Sequence, residues 1–231
     1  MALIGANGSG KSTLARLIAG LLGGASGRIS WRGRPLAALS ARERAAAVGY
    51  VFQNPDEQIF AATVEEEIAF GPRQMDWPPQ EVAQRVRAVV QSMGLDGFER
   101  RDPFLLGKGE RQRVAVASIL VLRPTVLILD EPTTGLDFRE QRSLMEVLAA
   151  LHRSGQTIVM ITHVPWVVGN YAKRGVLLRA GEVSFDGPIH DLFGEEALCL
   201  RSDFVPPEVA RLGSRLGGVA VDVEGLMDSL G

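Results

Sequence analysis

The chain has 231 residues, 46% hydrophobic and 23% charged, a size and balance suited to one or two globular domains. Its 25 basic and 27 acidic residues leave a net charge of -2, which excludes a broad electrostatic footprint for nucleic acid. No apolar run approaches the roughly 20 residues of a membrane-spanning helix, no signal-peptide pattern precedes the first motif, and a lone Cys199 excludes an internal disulfide and a cysteine metal cluster; the expectation is a cytosolic chain in which Cys199 is a small apolar packing residue.

Met1 to Ile4 read as the end of a buried strand, and Gly5-Ala6-Asn7-Gly8-Ser9-Gly10-Lys11-Ser12-Thr13 fills every fixed position of the phosphate-binding pattern GxxxxGKS. Leu14, Leu17, Ile18, Leu21 and Leu22 then recur at helical spacing, so strand, loop and helix follow in the order the motif requires. The glycines let the backbone bend around a phosphate chain, so that N–H groups and the positive end of the helix dipole converge on one anion. Lys11 is expected to reach the outer phosphates and the Ser12 hydroxyl to ligate magnesium. A glycine-rich turn that merely joins strand to helix explains the glycines but not the Gly10-Lys11-Ser12 ending.

Gly23 to Gly27 break the pattern, Arg28 to Trp31 form a short strand before the turn Arg32-Gly33-Arg34-Pro35, and Arg42 to Ala47 form a short helical piece. Val48 to Phe52 form a strand that delivers Gln53 at its carboxyl end, where ligands collect in parallel sheets. An amide there can ligate magnesium or orient a water; taken alone, Gln53 is more simply a solvated strand-end residue. Pro55, Pro72, Pro78, Pro79 and Pro103 then punctuate helical segments. Thr63-Val64-Glu65-Glu66 is a capping-box start whose helix Gly71-Pro72 is expected to close. A longer helix runs from about Pro79 to Met93, with Val82, Val86, Val89 and Val90 on one face, Arg85 and Arg87 solvated and Gly94 as C-cap. Leu105 to Glu110 lead into a helix from Arg111 to about Val121, either as a second anion-binding surface or as a loop with a glycine N-cap.

Val126 to Leu129 are continuously apolar, as a strand buried on both faces is, and end in Asp130-Glu131. Two carboxylates at a buried strand end are costly unless compensated, and a magnesium nucleotide compensates them. Alternation along the strand would aim Asp130 at the metal and Glu131 at the water attacking a terminal phosphate; surface salt bridging is the plain alternative. The polar turn Pro132 to Asp137 precedes a helix from roughly Arg139 to Ser154, and Gln156 to Thr162 form a strand that delivers His163, placed to donate to a terminal phosphate. His152 and His190 lack such placement. Val176 to Leu178 and Val183 to Phe185 flank Ala180-Gly181-Glu182 as a hairpin at a mixed sheet edge, and the stretch from Ser202, with Pro206-Pro207, Gly213, Gly217 and Gly218, is an accessory region without visible chemistry.

Taken in this order, Gly5 to Thr13, Gln53, Leu106 to Glu110, Val126 to Glu131, Gly135 to Asp137 and His163 resemble the nucleotide-binding ATPases of ABC transporters over about residues 1 to 190. The resemblance implies an α/β P-loop NTPase core with a parallel-rich sheet. It implies an ABC ATPase domain over 1–200, with an inserted helical subdomain over about 55–122, and a small C-terminal extension over 201–231. It implies ATP with Mg2+ as ligand, bound by Gly5, Ala6, Asn7, Gly8, Ser9, Gly10, Lys11, Ser12, Thr13, Gln53 and His163, with Ser12, Gln53 and Asp130 on the metal. Catalysis falls to Glu131, His163 and Lys11. Leu106, Gly107, Lys108, Gly109 and Glu110 would form the signature that contacts the ATP of a second ABC ATPase subunit in a head-to-tail dimer, and Gly135, Leu136 and Asp137 the D-loop.

Tyr50 to Phe60 with Thr63 to Gly71, and the short tail Val205 to Leu212, are similar to the ATPases of energy-coupling-factor (ECF) importers of vitamins or transition-metal ions such as cobalt and nickel. That resemblance implies a transmembrane component and a substrate-binding membrane component as partners, no nucleic acid, a peripheral position on the cytoplasmic face of the membrane, and coupling helices received beside Gln53 and the helical insertion. Two alternatives stay open: a low-turnover nucleotide-binding scaffold paired with an active relative, and a soluble ABC ATPase outside transport. The transported substrate and the choice of homo- or heterodimer are not legible, since selectivity resides in the membrane partners. Two departures stand out. The common signature LSGGQ appears as Leu106-Gly107-Lys108-Gly109-Glu110, so a serine hydroxyl worth about 1.5 to 3 kcal/mol as a charge-assisted donor is replaced by glycine. Family members also carry two or three strands ahead of the phosphate loop, with an aromatic whose stacking on adenine contributes roughly 1 to 3 kcal/mol; the resemblance leaves these N-terminal strands unaccounted for ahead of Met1, and the expectation is a misassigned start, a fragment or a partner that covers the gap.

Overall fold

A computed structural model describes residues 1–24 and 26–215. The elements begin with β1 (Ala2–Ile4), α1 (Lys11–Ile18), β2 (Ser30–Trp31), β3 (Arg34–Pro35), α2 (Ala41–Ala47) and β4 (Val48–Val51). There follow α3 (Val64–Gln74), α4 (Pro79–Ser92), α5 (Lys108–Leu120), β5 (Val126–Asp130), α6 (Phe138–Arg153) and β6 (Thr157–Ile161). The rest comprises α7 (Pro165–Tyr171), β7 (Arg174–Arg179), β8 (Glu182–Pro188), α8 (Ile189–Gly194), α9 (Glu196–Arg201) and α10 (Glu208–Arg215). The chain divides into two compact units, Met1–Leu14 with Val159–Gly231, and Ala15–Ile158.

In the first unit β1 is buried along its whole length and lies parallel to both neighbours, with Leu3 opposite Ile161 of β6 and Val176 of β7. Such a strand meets side chains on both faces, so every position is apolar. β8 returns antiparallel to β7 through a turn in which Ala180 (φ 50) and Gly181 (φ 83) both take left-handed backbone, the geometry that matches strand twist in a two-residue hairpin. The mixed edge expected from the sequence is therefore present. Ile4 and Leu177 pack with Leu192 and Phe193 of α8, Cys199 of α9, and Phe204 and Ala210 near the described end of the chain. Cys199 is fully buried in this cluster, as an apolar packing residue should be. The accessory region thus contributes to a core up to Ala210; Gly217 and Gly218 lie outside the described residues. The helices α7 to α9 were not legible in sequence, being six or seven residues each, too short for a periodic signal.

In the second unit β4 and β5 are parallel, with Tyr50 opposite Ile128 and Val51 opposite Leu129. Between them the chain is helical. α5 is buried on most sides, through Val114, Ala115, Val116 and Ala117 among others, which places it at the centre of the unit. It approaches β4 so closely that a Cβ on Gly49 would run into Ile119. β2 and β3 form a separate two-stranded hairpin.

Several helix boundaries differ from expectation. α1 stops at Ile18 because Leu21 N–H bonds Arg16 O at 2.8 Å and Gly20 N–H bonds Leu17 O at 3.0 Å, a Schellman closure with Gly20 at φ 72. Leu21 and Leu22 consequently leave the helical stripe and stand 51% and 44% exposed. Gly71-Pro72 does not close α3, which runs on to Gln74. Pro72 forfeits one intrahelical bond but is itself buried, and Gly71 packs against Leu122. Thr63 caps that helix by accepting from Glu66 N–H at 3.2 Å, whereas buried Glu67 accepts from Phe60 and Ala61 N–H and holds the preceding turn. Arg85 is not a solvated residue: its guanidinium lies 4.2 Å from the Trp77 ring centroid and pairs with Glu81 at 2.7 Å. α5 begins at Lys108, three residues before the expected Arg111, with Gly107 as N-cap. Among the described residues no helix is long and apolar enough to cross a membrane.

Candidate functional site

The phosphate loop is shaped by contacts inside the first unit. Gly5, directly after β1, has φ 147, and a Cβ there would collide with the carbonyl oxygen of Leu178. Gly8 (φ 78) and Gly10 (φ 98) take backbone that other residues rarely adopt. The loop closes on itself through Ser9 N–H to Ala6 O at 3.1 Å, and the β7–β8 turn supports it through Gly181 N–H to Ser9 O at 3.1 Å. Lys11, buried at the first position of α1, donates from Nζ to Gly5 O at 2.9 Å and Ala6 O at 2.8 Å. A concave run of backbone ending in a helix N-terminus, with an ammonium aimed into it, is built for phosphate. Ser12 and Thr13 follow on that first turn. His163 is exposed just past β6. Because β6 runs parallel to β1, His163 emerges at the same sheet end as Gly5, and Thr162 N–H bonds Leu3 O at 3.4 Å.

The second unit carries the acidic residues. Asp130 closes β5 at 1% exposure and accepts from the Tyr50 hydroxyl at 2.5 Å. Tyr50 in turn accepts from Arg16 Nε at 3.3 Å. Burial pushes the Tyr50 phenol far above its ordinary range, with the Asp130 bond acting in the same direction; the hydrogen bond to Tyr50 holds the Arg16 guanidinium above its own. Glu131 lies beyond the end of the strand at φ 48. Its direction is thus set by a left-handed turn and not by strand alternation, a correction to the expected reason for its role. That backbone costs of order 1 to 3 kcal/mol. It is held by Thr134, whose N–H bonds Glu131 O at 3.1 Å and whose Oγ1 donates to Glu131 Oε2 at 3.2 Å.

Gln53 is exposed past β4, and the loop that carries it is fastened by Gln58. Gln58 Oε1 accepts from Phe52 N–H at 3.2 Å, while its Nε2 donates to Ala115 O at 2.7 Å and Ser118 Oγ at 3.0 Å on α5. Arg111 adds an ion pair with Asp56 at 3.1 Å and a bond to Leu106 O at 2.7 Å. The turn before α5 and the Gln53 loop are therefore tied to the same helix. Gly107 has no side chain to cap α5; Glu110 Oε2 instead accepts Gly107 N–H at 2.9 Å. Gly109 faces Glu140, where a Cβ would come within 2.9 Å of its carboxylate. Leu136 is buried, Gly135 has φ 72, and Asp137 caps α6 in a reciprocal box with Glu140 at 2.8 and 3.0 Å.

As potential magnesium donors, the Ser12 hydroxyl, Gln53 amide oxygen and Asp130 carboxylate are all hard oxygens, the kind this ion takes alongside phosphate oxygens and water. Among the described residues no cluster of three or more His, Cys, Asp and Glu could hold a metal by itself. The hydrogen-bonding roles of Tyr50, Gln58, Glu67 and Thr134 escaped sequence reasoning. Only Tyr50 had a usable signal, since a tyrosine in a buried strand needs a partner for its hydroxyl.

Residues 1–134 match the family model described as ABC transporter. A putative ABC transporter ATP-binding protein of Caldanaerobacter subterraneus is 47% identical over 224 residues, 97% of this chain but only 39% of that protein. The energy-coupling factor transporter ATP-binding protein EcfA of Methanothermobacter thermautotrophicus is 37% identical over 231 residues, 97% of this chain and 73% of EcfA. The solved structure of cbiO1 from Clostridium perfringens, described as part of the ABC transporter complex cbiONQ, aligns with a TM-score of 0.76 at 33% identity, covering 91% of this chain and 85% of cbiO1. The chain belongs to the ABC transporter ATP-binding proteins, with their α/β P-loop NTPase fold.

Proposed function

We propose that the chain is the ATP-binding and ATP-hydrolysing subunit of an ECF-type importer for a vitamin or transition-metal ion. It would act in a homo- or heterodimer at the cytoplasmic face of the membrane, with a transmembrane component and a substrate-binding membrane component. The observation that carries this reading is the phosphate loop, in which Gly5 admits no side chain and Lys11 Nζ is aimed at the loop carbonyls. The 37% identity with EcfA along nearly the whole chain supports the importer class.

In this reading the backbone N–H groups of Gly5 to Thr13 hold the phosphates, and Lys11 exchanges carbonyl partners for outer phosphate oxygens. Ser12, Gln53 and Asp130 hold magnesium, which neutralises phosphate charge when bound. Glu131 orients the attacking water and takes up its proton, and His163 donates to the terminal phosphate. Leu106 to Glu110 address the ATP of the second subunit, with Gly135, Leu136 and Asp137 at the subunit boundary. An ABC ATPase domain over 1–200 and an extension over 201–231 remain part of the proposal. Exposed Phe60 and Phe70, whose rings meet edge to face at 4.7 Å, offer an apolar surface for a membrane partner.

The test is ATP hydrolysis by the chain with its membrane components, compared with Glu131→Gln. Activity lost in the variant with ATP binding retained supports the enzyme. A second reading, the low-turnover scaffold, is favoured by the bare glycine cap at Gly107; no turnover in either form would replace the first reading by it.

A further inference from the structure

Tyr50 presents a hydroxyl that packing does not explain. Tyr50 is 5% exposed and its ring sits edge to face against Phe52, with centroids 5.1 Å apart, so phenylalanine would fill the same volume. Arg16 lies with its guanidinium carbon 5.8 Å from the Phe52 ring centroid and donates Nε–H to the Tyr50 oxygen. A guanidinium can only donate. The phenol oxygen is therefore the acceptor on that side, and its own hydrogen is left to point at Asp130 Oδ2, 2.5 Å away. Arg16 and Asp130 lie 114 residues apart in sequence, so the chain of bonds from α1 through β4 to β5 is a product of the fold. Because Asp130 is 1% exposed, water does not readily replace a lost donor, and the bond is of the strong, charge-assisted kind.

We propose that Tyr50 is a positioning residue for Asp130: backed by Arg16, it fixes the rotation of the carboxylate so that the group is set for magnesium before the nucleotide arrives. The inference rests on the proposed metal role of Asp130. Tyr50 itself touches neither metal nor nucleotide in this scheme; it removes the need for the carboxylate to reorient on binding.

The experiment compares wild type with Tyr50→Phe as purified full chains, using a fluorescent methylanthraniloyl ATP analogue first in EDTA and then across a titration of MgCl2. In EDTA the two proteins should bind the analogue within about twofold of each other, because the phosphate loop is unchanged. The Mg2+ concentration that half-maximally tightens binding should rise about tenfold in Tyr50→Phe, as expected for one charge-assisted bond. Equal Mg2+ midpoints overturn the inference, as does an equal loss of binding in EDTA, which would mark a merely structural role. If wild type binds the analogue but Mg2+ has no effect on it, the metal role of Asp130 is itself wrong, and that failure is visible without any variant. Should Tyr50→Phe not fold, Arg16→Gln serves instead: a smaller shift of the same sign supports the inference, and an unchanged midpoint overturns it.

Discussion

The ammonium of Lys108 occupies the space that a side chain at Gly135 would need. Lys108 opens α5 in the stretch proposed as the signature and Gly135 lies in the proposed D-loop, so two stretches proposed to address a second subunit already touch within one chain. The contact is reinforced one residue further along, where Gly109 admits the carboxylate of Glu140. Lys108 and Gly109 of α5 thus pack against Gly135 and Glu140.

Gly135→Ala should therefore destabilise the chain by about 1 to 2 kcal/mol, the cost of a left-handed backbone in an L-residue. The displaced Lys108 side chain is flexible and adds little. Urea unfolding of Gly135→Ala with and without Lys108→Ala checks this: most of the loss should persist in the double variant, and full rescue by Lys108→Ala would assign it to the clash.

Gly107→Ser should raise ATP hydrolysis in a complex reconstituted with its membrane components. A Cβ at position 107 meets nothing closer than Glu110 Oε2 at 3.5 Å, so serine fits without rearrangement. The hydroxyl would restore a charge-assisted donor worth one to two powers of ten and cap α5 with a few tenths of a kcal/mol. Unchanged or reduced turnover would contradict the proposed role of the signature.

Glu43 should remain ionised down to about pH 3. Its carboxylate accepts from Ser40 N–H at 2.8 Å and pairs with Arg34 at 2.6 Å. The backbone bond, followed by Arg34, lowers its pKa from 4.5 to about 2. For a carboxyl with a depressed folded value, stability is fully present above the unfolded pKa and is lost as pH falls toward the folded one, here between about 4.5 and 2. Glu43→Gln should flatten the acid limb of the stability profile in that window, and a carboxyl resonance titrating near 4.5 would refute the assignment.

Cys199 should resist alkylation while the chain is folded. Burial, with the nearby Glu195 charge second, pushes its thiol up to about 11, and its Sγ lies 3.2 Å from Leu192 O. Iodoacetamide labelling at about pH 8 should follow unfolding as denaturant is added. Rapid labelling of the native chain would show that the core around Phe193 and Phe204 opens readily.

The sequence by itself determined the features whose chemistry is local. A phosphate loop needs its glycines, lysine and serine within one turn of chain, and a strand buried on both faces is apolar throughout, so Gly5 to Thr13, β5 with Asp130, and the hairpin around Gly181 were legible without a fold. Tertiary structure decided what depends on distant partners. Whether Pro72 ends a helix turned on packing that offsets one missing bond; whether Leu21 and Leu22 were core turned on the closure at Gly20. Tyr50 acquired a hydrogen-bonding role because β4 lies beside β5, Gln58 because α5 packs beside the loop after β4, and Lys108 its cover over Gly135 because the start of α5 meets the turn before α6. Such contacts leave no periodic trace in sequence, since each residue type would be equally at home on a surface or in a core, and only the fold brings its partner within reach.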